Sequence, residues 1–194
     1  MTKASLRIDR LTDPDAVANV EPLLREYLAW VVAQFATLAA DLADDDALIA
    51  THHAMFVAEV PNFLCRRGRL LVARLGGQVV GVGAYKPVDG TTTEIKRMYV
   101  RSTFQGYGIG RAILERLLAD ARADGYWYAR LETGSFMTQA QALYRSVGFV
   151  DMPAFEHSET AISGLQHLTR YMYRALREDT IERAPSPAAV ARST

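Results

Sequence analysis

Apolar residues near the start of the chain follow first a strand period and then a helix period. Residues 6–9 alternate apolar and charged, which predicts a short half-buried strand. Asp13 and Pro14 then form a helix start, because the carboxylate can accept from free N–H groups and proline suits a position that needs no donor. An apolar stripe at helical spacing covers 17–35. Pro22 interrupts this stripe, so the helix either kinks or restarts near that residue.

The next segment has the pattern of a second helix followed by an antiparallel meander. The helix is predicted over 47–59, with Pro61 ending it. Gly76-Gly77 is a typical two-residue hairpin turn, with Gly81 and Gly83 keeping one face of the following strand thin. The three predicted strands are 69–75, 78–85 and 91–100.

Helix and strand patterns alternate in the second half. A long amphipathic helix follows residues 101–111, and Asp124-Gly125 closes it. The later elements are a strand over 126–132, a helix over 136–147, a short strand opening at 149–150 and a last strand over 167–176. This order predicts an α+β fold with mixed pairing, because a helical crossover gives the strand ending at Val100 a parallel neighbour.

Composition narrows the class of protein without naming an activity. Of 194 residues, 49% are hydrophobic and 23% are charged, which excludes a wholly disordered or collagen-like chain. Lys plus Arg and Asp plus Glu each number 22, so no basic excess favours a nucleic acid or an anionic membrane as partner. The apolar stretch 28–40 is shorter than the roughly 20 residues that a bilayer needs. A single cysteine, Cys65, favours a reducing, cytoplasmic setting.

The length of the chain favours one domain. Residues 1–177 are expected to form it, and residues 178–194, with two prolines and few bulky apolar side chains, are expected to form a flexible tail. Metal binding is not predicted. His52 and His53 are adjacent and cannot share a helix face, while the other two histidines have no cysteine at zinc spacing.

A glycine-rich segment, Gln105–Arg111, lies between a predicted strand and a predicted helix. Glycines let the backbone approach a ligand closely. The first-turn N–H groups of a helix point outward, and the helix dipole favours negative charge there. The segment is therefore a candidate anion-binding site, and a pyrophosphate is the ligand that suits it best.

Several known sequence patterns compete for this segment. A Walker A loop would end in Gly-Lys-Ser/Thr, which does not occur here. A dinucleotide fingerprint counted from Gly106 would need a sixth-position glycine where this chain has Arg111, although Glu132 lies near where a ribose-binding acid would stand. A plain glycine-rich turn is the alternative without a ligand.

Gln105, Gly108 and Gly110 form the pattern Gln-x-x-Gly-x-Gly, which resembles the acyl-CoA pyrophosphate loop of the GNAT N-acetyltransferase superfamily. The preceding strand 94–100 and the segment 140–149, which reads Ala-x-x-Leu-Tyr-x-x-x-Gly-Phe, resemble further signatures of that family. The resemblance implies a GNAT-like mixed, mainly antiparallel sheet with a central parallel strand pair and flanking helices. Met137 stands where family members often carry asparagine, the residue that usually makes a side-chain contact to the cofactor there.

The resemblance implies acetyl-CoA as acyl donor and no metal. Backbone groups of Met98 and Val100, freed by a bulge, would bond the pantetheine, and the mouth of the next helix would hold the pyrophosphate. Arg145 would reach the adenosine phosphate, unless it is an exposed helix charge. The implied cofactor-binding residues are Met98, Tyr99, Val100, Gln105, Gly106, Tyr107, Gly108, Ile109, Gly110, Arg111, Ala140 and Arg145.

Two side chains are candidates for proton transfer. Glu94 stands at the family's position for an acidic general base, and its alternative is a strand carboxylate paired with Lys96 or Arg97. Tyr144 is the candidate general acid toward the coenzyme thiolate, and its alternative is a core tyrosine.

The predicted function is transfer of acetyl to a primary amine of a small molecule or peptide, by direct attack in a ternary complex. A CoA-binding regulatory module without turnover is the alternative, and a nicotinamide dinucleotide enzyme is the third interpretation. The aspartates at 41 and 44–46 would attract a cationic amine or simply form a solvated helix start. A monomer or homodimer is expected.

Overall fold

The computed structural model describes residues 5–38, 45–155, 158–162 and 164–177. The predicted tail over 178–194, Asp41 and Asp44 lie outside the described residues, as do the side chains of Asp45 and Asp46. In chain order the strands and helices are β1 (Leu6–Arg10), α1 (Glu21–Leu38), α2 (Asp45–Leu64), β2 (Arg69–Leu75), β3 (Gln78–Pro87), β4 (Thr92–Val100), α3 (Ile109–Ala123), β5 (Tyr128–Gly134), α4 (Thr138–Ser146), β6 (Val150–Met152), α5 (Glu159–Ile162) and β7 (Thr169–Ala175).

The strands follow the order β1-β2-β3-β4-β5-β7-β6. The β1–β2, β2–β3, β5–β7 and β6–β7 pairs are antiparallel, while β4 and β5 are parallel. The parallel register joins Thr92 to Tyr128 and Glu94 to Arg130. The predicted α+β fold, with a mainly antiparallel sheet and a parallel pair made by the α3 crossover, is confirmed.

Two prolines shape the N-terminal helices in different ways. A short 3-10 turn at Asp15–Asn19 precedes α1, in which Pro22 is the second residue, so the chain restarts there and does not kink. The prediction that Pro61 ends α2 is wrong, because the helix continues to Leu64. Pro61 lies in the last turn, where it removes one N–H donor, while its carbonyl still accepts from Cys65 at 3.0 Å.

Several predicted boundaries in the second half shift by a few residues. The strand predicted over 126–132 begins two residues later, because the N–H groups of Trp127 and Tyr128 both bond the Thr91 carbonyl in a turn. The strand predicted from residue 167 begins at Thr169, after a 3-10 turn at Gln166–Leu168. The long connection between β6 and β7 contains α5.

The described residues fall into two compact units, which lie within Met1–Tyr85 with Arg97–Leu117, and within Lys86–Lys96 with Leu118–Thr194. In the first, Leu23, Leu24, Phe56, Leu70 and Val82 belong to one apolar core. In the second, a smaller apolar cluster comprises Tyr128, Met152, Phe155 and Tyr171.

Glycine at position 83 is required by packing inside the first unit. A Cβ on Gly83 would lie 2.6 Å from an Ile113 methyl and 2.7 Å from the Met98 sulfur. The thin face predicted for β3 is confirmed, and α3 and β4 use it for close packing. No helix among the described residues combines the length and apolarity that a membrane crossing needs.

Candidate functional site

The glycine loop (residues 105–111) begins as an exposed turn over residues 105–108 and ends in the first three residues of the 15-residue helix α3. Gly106 has φ 82° and Gly108 has φ 78°, values that non-glycine residues rarely adopt. A Cβ at either glycine would meet nothing within 4 Å, so the conformation requires glycine and the space in front stays open. The Gly108 carbonyl accepts from Ala112 at 3.0 Å, which fixes the first turn of α3. The backbone N–H groups of this first turn point outward from the start of α3, where an anion would bind.

The polar side chains of the loop make local bonds. The Gln105 amide donates to the Val100 carbonyl at 3.0 Å and so ties the loop to the end of β4. Arg111 pairs with Glu115 one turn along the helix, at 3.3 Å, and both are well exposed. Tyr107 is 73% exposed. What the loop offers a ligand is therefore mainly backbone.

A backbone irregularity interrupts β4 before the loop. Arg97 has φ 59° and is the one non-glycine residue with positive φ among those that the structure describes. This conformation costs a non-glycine residue about 1–2 kcal/mol. The Arg97 guanidinium is buried, lies 3.1 Å from Glu59 and sits 5.8 Å from the centre of the Phe56 ring.

Two further side chains of the first unit join this strand to α1. The Tyr99 hydroxyl donates to Glu26 at 2.9 Å, and the Arg101 Nε donates to the other oxygen of Glu26, also at 2.9 Å. Burial and the bond to the Glu26 carboxylate raise the pKa of Tyr99 to about 12. Tyr99 therefore remains a donor at neutral pH.

The second unit contains a buried group of charges, called the charged cluster here: Glu94, Lys96, Arg130, Glu132 and Glu159. The Lys96 ammonium lies 3.3 Å from Glu94, 3.7 Å from Glu132 and 3.2 Å from Glu159. The second oxygen of Glu94 is 3.5 Å from Arg130. Glu94, only 4% exposed, has both carboxylate oxygens facing cations.

Glu132 joins the sheet to the connection between β6 and β7. Its carboxylate accepts from the backbone N–H of Glu159 at 3.0 Å and from the Thr160 hydroxyl at 2.7 Å. Burial raises the pKa of Glu132, while the Lys96 charge and the Thr160 hydroxyl oppose that rise. Glu132 thus has a structural use in this fold, different from the ribose contact that a dinucleotide enzyme would require.

Tyr144 lies on α4 and is 6% exposed. Its ring centre is 5.9 Å from that of Phe149, and its carbonyl accepts from the Phe149 N–H at 3.1 Å. One turn before it, Ala140 is half-buried. Exposed Arg145 bonds both oxygens of Asp151 at 3.2 Å. At the start of α4, the Met137 sulfur accepts from the Thr133 hydroxyl at 3.4 Å.

The predicted residues fall into two groups. The loop, Met98, Tyr99 and Val100 belong to the first unit, whereas Glu94, Ala140, Tyr144 and Arg145 belong to the second. Sequence reasoning missed most of the charged cluster. The two-residue spacing of Glu94 with Lys96, and of Arg130 with Glu132, puts each pair on one face of its strand and was the available signal.

Comparisons with known proteins give the family of this chain. The sequence model of the Acetyltransferase (GNAT) family matches residues 27–149. An IAA acetyltransferase of Azospirillum brasilense is 47% identical over 88 residues, which are 45% of this chain and 58% of that protein. Human N-acetyltransferase 8 is 36% identical over 94 residues, and the match spans 41% of its length. The chain therefore spans less than two thirds of these relatives.

Solved structures share the fold. The PaiA N-acetyltransferase of Thermoplasma acidophilum, in complex with coenzyme A, has a TM-score of 0.67 at 15% identity, over 88% of this chain and 99% of that one. A GNAT family acetyltransferase of Elizabethkingia anophelis, with acetyl-CoA bound, has a TM-score of 0.51 at 22% identity, over 61% and 82%. The family match over residues 27–149 covers more than half of this chain, so the chain belongs to the Acetyltransferase (GNAT) family.

Proposed function

We propose that this chain is an N-acetyltransferase that moves the acetyl group of acetyl-CoA to a primary amine of a small molecule or peptide. The proposal depends above all on one observation. An open, exposed loop with two left-handed glycines, Gly106 and Gly108, leads directly into the start of a 15-residue helix. Such a helix start suits a diphosphate, because its N–H groups and its dipole both favour negative charge.

The residues present fit the cofactor by their chemistry. When bound, acetyl-CoA supplies an acyl group already activated as a thioester. Loop N–H groups from Gly106 to Arg111 hold the pyrophosphate, and the backbone of Met98 and Val100 bonds the pantetheine. Arg145 supports the adenosine phosphate if it exchanges its exposed partner Asp151 for that group. An exposed ion pair of this kind is weak, so the exchange costs little.

Two side chains of the second unit are proposed for the proton transfers. Glu94 accepts the amine proton through water, while Lys96 and Arg130 hold its carboxylate in one orientation. The Tyr144 hydroxyl gives its proton to the leaving thiolate. Transfer then needs no residue to form a covalent bond with the acetyl group.

Titration calorimetry with acetyl-CoA tests the loop assignment. Gly108→Asp should abolish measurable binding, because a side chain and a negative charge enter the anion site. Gly77→Asp is the matched control: Gly77 has φ 87° and open space around its Cβ position, but it lies in the β2–β3 turn. Unchanged affinity in Gly108→Asp, or equal losses in both variants, would reject the assignment.

Release of free CoA with a panel of acceptors tests turnover. The panel should contain polyamines, amino acids, lysine peptides and peptide N-termini. It should also contain IAA, because a relative that is 47% identical over 88 residues is named an IAA acetyltransferase. Mass spectrometry with labelled acetyl-CoA then identifies the product. Tight binding without release across the panel would favour the regulatory module instead.

A further inference from the structure

Arg97, the residue with the left-handed backbone, has its side chain anchored on α2. Its guanidinium, with the side chain 5% exposed, lies 3.1 Å from the Glu59 carboxylate of α2 and over the Phe56 ring of the same helix. A charged hydrogen bond with little solvent access is stronger than a neutral one. An unfavourable φ persists only where surrounding contacts outweigh its cost, and the contacts of Arg97 with Glu59 and Phe56 are of that kind.

We propose that Arg97 and Glu59 are positioning residues, which hold the backbone of Met98–Val100 in the shape that binds acetyl-CoA. This inference rests on the proposed function. Met98 follows the irregular residue directly, so the φ of Arg97 sets the direction of the next peptide groups. If residue 97 returned to an ordinary strand conformation, the N–H and C=O groups of that segment would turn away from their present directions.

Neighbouring contacts limit the movement of the same segment. Tyr99 and Arg101 both bond Glu26 of α1, at 2.9 Å each. Every second residue from 97 to 101 therefore bonds a helix carboxylate: residue 97 bonds Glu59 of α2, and residues 99 and 101 bond Glu26 of α1. These latter bonds are more exposed than the Arg97 pair, so we assign the larger effect to Arg97 and Glu59.

The test measures acetyl-CoA affinity by calorimetry for Arg97→Ala, Arg97→Gly and Glu59→Gln. Arg97→Ala keeps the cost of a positive φ and loses the contacts that offset it, so its Kd should rise about tenfold. Arg97→Gly loses the same contacts, but glycine adopts a positive φ readily, so its Kd should stay within about threefold of wild type. Glu59→Gln should lie between them.

Arg69→Ala is the matched control for a lost buried arginine. Arg69 is 8% exposed, lies 5.6 Å from the centre of the Tyr85 ring and bonds the Gly68 carbonyl at 2.7 Å, all in the first unit. It should lower the melting temperature as Arg97→Ala does, without changing acetyl-CoA affinity.

The outcomes separate this inference from the proposed function. Equal Kd values for Arg97→Ala and Arg97→Gly, whether raised or not, would overturn the inference, since the backbone would not be the cause. A Kd that rises as much in Arg69→Ala would overturn it as well. Wild-type protein that fails to bind acetyl-CoA would overturn the proposed function together with the inference.

Discussion

The glycine loop and the charged cluster are built from opposite materials. The loop is exposed, consists mainly of backbone and depends on the positive φ of Gly106 and Gly108. The cluster is buried, consists of side chains from β4, β5 and α5, and depends on the register that joins Glu94 to Arg130. A site made of backbone tolerates changes of side chain but not of φ. A site made of buried charges is sensitive to the loss of any single charge.

The largest expected effect is on the stability of the charged cluster. Lys96→Met leaves one buried carboxylate, that of Glu94, and two partly buried ones, those of Glu132 and Glu159, without the ammonium that lies within 3.7 Å of each. Losing one partner of a buried ion pair costs about 3–5 kcal/mol, so thermal unfolding should occur roughly 10 °C lower. Arg7→Met, which removes an exposed arginine 3.2 Å from Asp9, should change the melting temperature little. Similar melting temperatures for the two variants would contradict the importance of burial.

The next largest effect is expected on turnover, which should fall when a side chain of the second unit is changed while the glycine loop stays intact. Tyr144→Phe keeps the buried ring and removes the hydroxyl, so turnover with an acceptor from the panel should fall about 100-fold, as expected for loss of a general acid. Affinity for acetyl-CoA should stay nearly constant, because the loop is unchanged. Tyr173→Phe removes a hydroxyl from β7 of the same unit and serves as the control. Equal turnover in wild type and Tyr144→Phe would make Tyr144 a packing residue.

The same contrast explains which features could be predicted from sequence. The hairpin at Gly76-Gly77, the strand at 69–75 and the glycine loop depend on neighbours in the chain, so local patterns identify them. The charged cluster depends on strand register and on Glu159, which reaches β4 from a helix 63 positions later in the chain than Lys96. Register and long-range contacts have no local signal, although the two-residue spacing of the charges is visible.

Helix ends show the same limit on a smaller scale. Proline usually ends a helix, yet Pro61 lies inside the last turn of α2. In the last turn, proline costs only one N–H donor, and packing decides whether the helix continues. That Arg97 is the residue with the positive φ could not be predicted either, because a positive φ at arginine has no sequence signature.

A smaller effect tests the backbone character of the loop. Gly108→Ala adds no charge and meets no neighbour, but a Cβ at φ 78° costs about 1–2 kcal/mol, so acetyl-CoA should bind about tenfold more weakly. Gly77→Ala carries a similar strain at φ 87° in the β2–β3 turn and should leave affinity unchanged. Equal affinities in Gly108→Ala and wild type would mean that the loop does not need its left-handed glycine.

The smallest expected effect on stability concerns the turn at Asp89. This turn combines the features of the two regions, because a side-chain carboxylate binds backbone N–H groups there. Asp89 accepts from the N–H groups of Thr91 and Thr92 at 2.6 Å each and from the Thr91 hydroxyl at 2.9 Å. Burial acts to raise the pKa of Asp89, but these hydrogen bonds outweigh it and hold the pKa below its ordinary value of 3.8. Asp89→Asn should therefore lower the free energy of unfolding by about 1 kcal/mol at neutral pH.

The pH dependence of this last variant has a definite sign. Because the folded pKa is below the unfolded one, the carboxylate stabilises the protein above pH 3.8, and this stabilisation is lost as the pH falls through the folded pKa. The stability difference between wild type and Asp89→Asn should be constant from neutral pH to about pH 5 and should shrink in more acidic solution. Urea unfolding across this range measures the difference, with Asp9→Asn on the partly exposed strand β1 as control. A difference that stays constant down to the most acidic pH would show that the turn owes nothing to the charge of Asp89, and that its backbone N–H groups, like those of the glycine loop, depend on conformation alone.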